Sequence, residues 1–248
     1  MRFAIAGGTG MTGRHVEAVA RERGHEVVVL SRAAGVDLVS GAGLHGRLVG
    51  VDTVIDVSNV TTPKPEVSVS FFAGATTNLL AAERAAGVGH HLALTIVGAE
   101  AAPDGYYAGK LAQERLVAQS DVPWTIQRTT QFHEYAGMMY HRTHAGAHVA
   151  PTGRVQPVSL REVAARLVDL AEGEPAGRAT DLGGPREESL ADLVRRYAHA
   201  IGHHGMLPAI DMPGTLGRAF RSGALLPGPD ALRGTQTFTE WLAALPDA

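Results

Sequence analysis

The chain predicts an α/β fold: a doubly wound parallel sheet with a small C-terminal α/β lobe. Three observations carry this. Strand-like and helix-like segments alternate through the first half, as in a parallel sheet covered by helices. The strand candidates are continuous apolar runs, the pattern of strands buried on both faces. A glycine cluster, Gly7-Gly8-Thr9-Gly10-Met11-Thr12-Gly13, directly follows the first of these runs. With 248 residues the chain can bury a substantial core. We divide it into a sheet domain over residues 1–150 and a lobe over 151–248 packed on the same sheet.

Phe3-Ala4-Ile5-Ala6 is the first strand, and Met11 to Arg23 a helix that Gly24 stops. Val27 to Leu30 is a second, buried strand. Val36 to Val39 is a short third strand, and Gly41 to Leu48 a short helix. Thr53 to Val57 forms the fourth strand. A long helix over Val67 to Ala86 turns Phe71, Phe72, Leu79 and Leu80 inward and ends at Gly87. Leu92 to Val97 is the fifth strand, Tyr107 to Gln119 a helix, and Trp124 to Arg128 the sixth strand. Beyond these, Ser159 caps a helix over Leu160 to Ala171, with Glu162 completing a Ser-x-x-Glu capping box. Arg178 to Leu182 is a short strand, and Ser189 opens a helix to Ile201. Gly and Pro from Gly202 to Gly234 predict loops with short helices, before a terminal helix near Thr237 to Ala244.

A net charge of −3 provides no basic field for nucleic acid and no polybasic surface for an anionic membrane. The absence of cysteine removes disulfides, thiolate catalysis and Cys-ligated metals. No apolar run approaches the ~20 residues that span a bilayer. No signal-peptide pattern precedes the first strand, so a cytoplasmic protein is expected. The expected partner is a small molecule, and a homodimer is compatible with the sequence.

The glycine cluster satisfies both GxGxxG and GxxGxxG spacings at a strand-to-helix junction. Glycines there let the backbone approach a dinucleotide pyrophosphate, while helix N–H groups receive the anion. The candidate cofactor residues are therefore Gly7, Gly8, Thr9, Gly10, Met11, Thr12 and Gly13. At the end of the second strand, where a carboxylate would select NAD, stand Ser31 and Arg32. A hydroxyl and a forked cation suit the extra phosphate of NADP(H). Asp37 either meets the adenine amino group or forms a turn. Val57, Ser58 and Asn59 close the fourth strand at the carboxyl edge, where they line the cofactor ribose or cap the next segment. Tyr106 and Lys110 are four apart, so they share a face if the helix begins by Tyr106. The ammonium would then lower the phenol's pKa and hold ribose hydroxyls.

Together these segments, with Leu94-Thr95-Ile96-Val97-Gly98 and Pro123-Trp124-Thr125-Ile126-Gln127-Arg128-Thr129-Thr130-Gln131-Phe132, resemble the atypical short-chain dehydrogenase/reductase superfamily, in its NmrA-like branch. The C-terminal lobe matches only in general character, including Gln156-Pro157-Val158-Ser159. The resemblance implies a Rossmann domain with NADP(H) over the carboxyl edge and a substrate cleft formed by the lobe. It also implies a Ser, Tyr and Lys acting together. Lys110 matches the Lys, again touching cofactor, and Tyr106 the Tyr, with Tyr107 as an alternative phenol. Thr95 stands where relatives carry the Ser, eleven residues before Tyr106 and closer than is usual. The branch contains both reductases of quinones or aromatic metabolites and dinucleotide-binding sensors without turnover.

After the sixth strand, Phe132, His133, Tyr135 and Met139 are candidate substrate residues, their apolar and aromatic character suiting a flat acceptor. Core packing against the lobe is the plainer reading. His141, His144 and His148 have spacings that could share a helical face, but Gly146 interrupts it and no carboxylate accompanies them, so no metal is expected. The sequence favours an NADPH-dependent reductase of a quinone-like or aromatic carbonyl compound, with a non-catalytic NADP(H) sensor as the alternative.

Overall fold

A computed structural model describes residues 1–144 and 147–245. Its centre is a parallel sheet built from β1 (Arg2–Ala6), β2 (Glu26–Leu30), β3 (Thr53–Asp56), β4 (His90–Ile96) and β5 (Trp124–Thr129). These lie in the order β2-β1-β3-β4-β5. The chain leaves β1 toward β2 and returns on the other side to β3. That reversal opens a crevice at the carboxyl end of β1 and β3, where open sheets bind ligands. Three two-residue strands, Gly177–Arg178, Leu182–Gly183 and Leu232–Arg233, extend the sheet beyond β5 to eight strands.

Alternation along the strands assigns the layers. Phe3, Ile5, Ile55, Leu92 and Leu94 point to one face, where helices α1 (Met11–Glu22) and α5 (Leu160–Glu172) cover them. Ala4, Ala6 and Val54 point to the other, under α2 (Pro65–Ala86). Beside it, Ala93 and Ile126 meet Val117 of α3 (Gly105–Ala118). Thus α5, which the chain makes after residue 150, belongs to the layer that buries β1.

A second core joins Tyr107 and Leu111 of α3 to α4 (Tyr135–Tyr140), α6 (Leu190–Ala200), α7 (Gly214–Ser222) and α8 (Phe238–Ala243). It builds a lobe beside the carboxyl edge of the sheet.

The expected third strand and short helix do not form. Residues 36–52 run as turns, because Asp37 Oδ1 accepts from Val39 N at 2.9 Å and Ser40 N at 3.2 Å, and Gly41, Gly43 and Gly46 take positive φ. Val36, Leu38, Leu44 and Leu48 are nevertheless buried against Ala75 and Leu79. Asn78 Nδ2 donates to the carbonyls of Leu38 and Val39, which a sheet partner would otherwise satisfy. Phe71 is half-buried rather than turned into the core.

The capping box also moves. Ser159 caps α5 without a side-chain bond, and Glu162 instead accepts from Thr235 N at 2.6 Å and Thr235 Oγ1 at 2.7 Å. The box occurs at Thr237 and Glu240, opening α8. The strand expected over Arg178 to Leu182 is split into the two short pieces above.

Candidate functional site

The first βα junction turns so sharply that only glycine fits. Gly7 has φ +80°, and a Cβ there would stand 2.8 Å from Ser58 Cα. A Cβ at Gly13 would stand 2.3 Å from the Gly7 carbonyl oxygen. Gly8 packs against Val29 and Ile5, so Gly8 and Gly13 shape the turn, while Gly7, Thr9, Gly10, Met11 and Thr12 line a cavity. Helix α1 begins with no side-chain cap and no acidic residue in its first turn. Its leading N–H groups lack intrahelical acceptors, and the positive end of its dipole faces the same way. The turn therefore fits the bridging phosphates of a dinucleotide.

That cavity encloses about 950 Å³ and follows the carboxyl edge. This is the upper part of the range for small-molecule sites, ~300–1,000 Å³. At one end are Ser31 and Arg32. Ser31 is buried and its Oγ accepts from Ala34 N, capping a short 3₁₀ turn that projects the exposed Arg32 guanidinium. Asp37 lines this end too, with its Oδ1 committed to the turn described above. Val57, Ser58 and Asn59 form the middle wall, and the buried Ser58 Oγ has no hydrogen-bond partner among the described residues.

Next come the groups of α3. Asp104 caps this helix, which begins at Gly105, so Tyr106 and Lys110 do share its face. Close approach of α2 positions them: a Cβ on Gly109 would fall 2.2 Å from Ser68 Oγ, and that hydroxyl donates to the Tyr106 carbonyl at 2.8 Å. Tyr106 donates its phenolic proton to Asn59 Oδ1 at 2.7 Å. Lys110 is only 4% exposed. Its Nζ donates to the Leu94 carbonyl at 3.0 Å and to Gln113 Oε1 at 2.9 Å, and lies 4.3 Å from the centre of the Phe72 ring.

Burial pushes the Lys110 ammonium down to about 8, against the pull of Asp56 and Glu114. Burial, then the charge of Asp56, raises the Tyr106 phenol above its ordinary value. The expectation that Lys110 lowers it is thus overturned, because the net effect on the phenol is upward. Tyr106 stays protonated at neutral pH and keeps a proton to give. Tyr107 is raised as well, by burial first and then by Tyr135, with Gln131 pulling the other way.

Thr95 does not keep a free hydroxyl for an acceptor. Its Oγ1 donates to Glu114 Oε1 at 2.7 Å, and that buried carboxylate also binds Arg128 and Arg178. Phe132, Tyr135 and Met139 line the far end of the cavity, where Tyr107 and Leu216 of the lobe core join them, and Phe71 of α2 lines the same cavity. Burial there pushes the Tyr135 phenol up to about 12, against the opposing charge of Arg142. His133 turns away: its Nε2 meets the Gln236 carbonyl at 3.1 Å and its ring packs on Phe238 and Trp241. It ties the lobe together. Two wall residues absent from the predicted site, Phe71, expected in the core, and Leu216, come from the faces of α2 and α7, and no local motif marks either as a wall residue.

Of the histidine trio, the His144 side chain and Gly146 lie outside the described residues. His148 stacks on Tyr140 with ring centres 4.4 Å apart, while the His141 ring meets Tyr197 edge-on. Among the described residues no three His, Cys, Asp or Glu side chains are grouped to hold a metal ion, and no helix is long and apolar enough to cross a membrane.

Comparison with known proteins agrees with this geometry. The Bordetella bronchiseptica enzyme WbmH, solved in complex with NAD+, superposes with a TM-score of 0.72 at 15% identity, covering 98% of this chain and 96% of that one. An NADPH-dependent quinone oxidoreductase from Escherichia coli gives 0.71 at 18% identity, covering 97% and 98%. The UDP-glucose 4-epimerase of Thermus thermophilus, in complex with NAD, gives 0.65 at 18% identity, covering 98% and 92%. At such identities the likeness is one of fold. No curated protein matches the sequence. The NAD(P)H-binding family, by contrast, matches residues 7–174, from the glycine turn through the end of α5. With most of its length matched, and with the glycine turn and crevice that such a coenzyme needs, the chain belongs to the NAD(P)H-binding family.

Proposed function

We propose that this protein is an NADPH-dependent reductase that delivers hydride to a quinone-like or aromatic carbonyl compound. The observation that supports it best is the continuity of the cavity. One space runs from the glycine turn and Arg32, past Tyr106 and Lys110, to an apolar wall of Phe132, Tyr135 and Met139. Bound NADPH supplies the hydride. Gly7 to Thr12 hold its bridging phosphates, Arg32 meets the additional phosphate, and Lys110 and Ser58 reach the ribose. The Tyr106 phenol exchanges its bond to the Asn59 amide oxygen for one to the acceptor oxygen and donates a proton to it. Thr95 is given no part, since its hydroxyl is held by the buried Glu114 carboxylate, a stronger acceptor that Arg128 and Arg178 also fix in place. The apolar wall of Phe132, Tyr135 and Met139 suits a flat, apolar acceptor, with Arg142 the cation that lines the cavity beside Tyr135.

The test is NADPH oxidation over a panel of quinones, diazo dyes and aromatic ketones. Turnover with at least one acceptor is expected. Lys110→Ala should weaken NADPH binding about tenfold or more, the loss of a charge-assisted bond. Tyr106→Phe should slow ketone reduction and spare quinones, which draw protons from solvent. Tight NADPH binding without turnover of any acceptor would replace the reductase with a non-catalytic sensor.

A further inference from the structure

Of 22 basic residues in the chain only two, Lys64 and Lys110, are lysines. Lys64 is exposed, whereas Lys110 is buried in the seam between α2, α3 and the sheet. A buried ammonium needs acceptors for its protons and a compensating charge. The acceptors are the Leu94 carbonyl and Gln113 Oε1. Gln113 is itself wholly buried, and its Nε2 donates to Asp56 Oδ2 at 2.8 Å. The other oxygen of Asp56 accepts from Ser58 N at 2.9 Å.

This chain of bonds has a direction. Asp56, as a carboxylate, can only accept, which forces the Gln113 amide to present N–H to it and oxygen to Lys110. We propose that Asp56 and Gln113 are positioning residues that orient the Lys110 ammonium beneath the ribose site and keep it charged. This rests on the cofactor reading above and extends it to two residues that touch neither cofactor nor substrate.

The other groups around Lys110 leave this role to Asp56. From α3 come Glu114, already bound by Arg128 and Arg178, and Tyr106, a neutral phenol. From α2 come Phe72 and Ser68, which carry no charge. β4 offers the Leu94 carbonyl and Thr95, while His91 on the same strand feels the Asp56 charge but is paired with Glu83. Asp56 makes no ion pair among the described residues, so its charge acts on Lys110 through Gln113.

Asp56→Asn removes the charge and one of two acceptor oxygens. The amide keeps a single carbonyl oxygen, so either Gln113 Nε2 or Ser58 N loses its acceptor. Gln113→Leu breaks the chain at similar volume and leaves the bond between Asp56 and Ser58.

The experiment is a ¹³Cε NMR titration of lysine in the coenzyme-free full chain, with Lys110→Met identifying the resonance. In the wild type the Lys110 midpoint should fall near pH 8. In Asp56→Asn and in Gln113→Leu it should drop by about one unit, the size expected when a nearby opposite charge or acceptor is removed. NADPH affinity, measured in parallel, should fall off above pH 8 in the wild type and about one unit earlier in either variant. If Asp56→Asn does not fold, Gln113→Leu carries the test. Coincident midpoints in folded variants and wild type overturn the proposal, as does a wild-type Lys110 that titrates in the ordinary lysine range. If the midpoints shift but NADPH does not bind, the relay stands and the cofactor reading falls.

Discussion

Arg32 shows how much a single side chain can decide. It lines the cavity directly after the Ser31 cap, its side chain is exposed, and it forms no ion pair among the described residues. Arg32→Ala should therefore weaken NADPH binding by about tenfold to a hundredfold, the worth of a hydrogen bond to a charged group, and leave NADH nearly unchanged. Paired calorimetric titrations check this, and equal losses for the two coenzymes would remove Arg32 from the selectivity. Its neighbourhood was legible in the sequence because Ser31-Arg32 directly follows a strand. Thr95 was not. A hydroxyl at a strand end reads as a donor until the opposite helix is known to carry Glu114. His133 misled in the same way, since adjacency to Phe132 says nothing about which neighbour turns into the cavity.

At the scale of elements, β4 opens with two histidines that face opposite sides of the sheet. His90 bonds Thr125 Oγ1 at 2.8 Å and is pushed down to about 4, by burial and then by the charge of His91. His91, fully buried, meets Glu83 of α2 at 2.8 Å. Burial pulls its imidazolium down, but Glu83 and Asp56 outweigh it and leave it raised. A group raised on folding contributes stability that is complete below its unfolded value, about 6.5, and is lost as pH climbs through the folded one. Glu83→Gln should cost about 3 kcal/mol at pH 6 and less at pH 9, measured by urea unfolding. A penalty independent of pH would show that the pair acts as neutral hydrogen-bonding groups. The five long strands and the helices between them were legible because apolar runs and helix-stopping glycines mark them locally. The segment between β2 and β3 was not, since Val36 to Leu48 has the hydrophobic pattern of regular elements but Asp37 and its glycines turn it. The capping box expected at Ser159 is missing because Glu162 is drawn to Thr235, a contact made only by the folded chain, while Thr237 and Glu240, at the same spacing, form one.

For the whole molecule, the decisive fact is that α5 lies in the core of the first half. Val163, Leu167 and Val168 share one apolar cluster with Phe3, Ile5 and Leu92. Residues 1–150 alone would expose that face of the sheet, so the full chain should unfold in a single calorimetric transition. Two resolved transitions would overturn this. NADPH at a hundredfold its Kd should stabilise the fold by about 2.7 kcal/mol. The same sheet stops at β2, which has no strand beyond it among the described residues. A free strand edge is a template on which a foreign chain can add itself, the first step toward stacked fibrils. Here the stretch that could be copied is short. Glu26, exposed and paired with Arg2, puts charge at its start, and after Leu30 the Ser31 turn bends the backbone away, so an incoming strand would find only Val27 to Leu30 to hold.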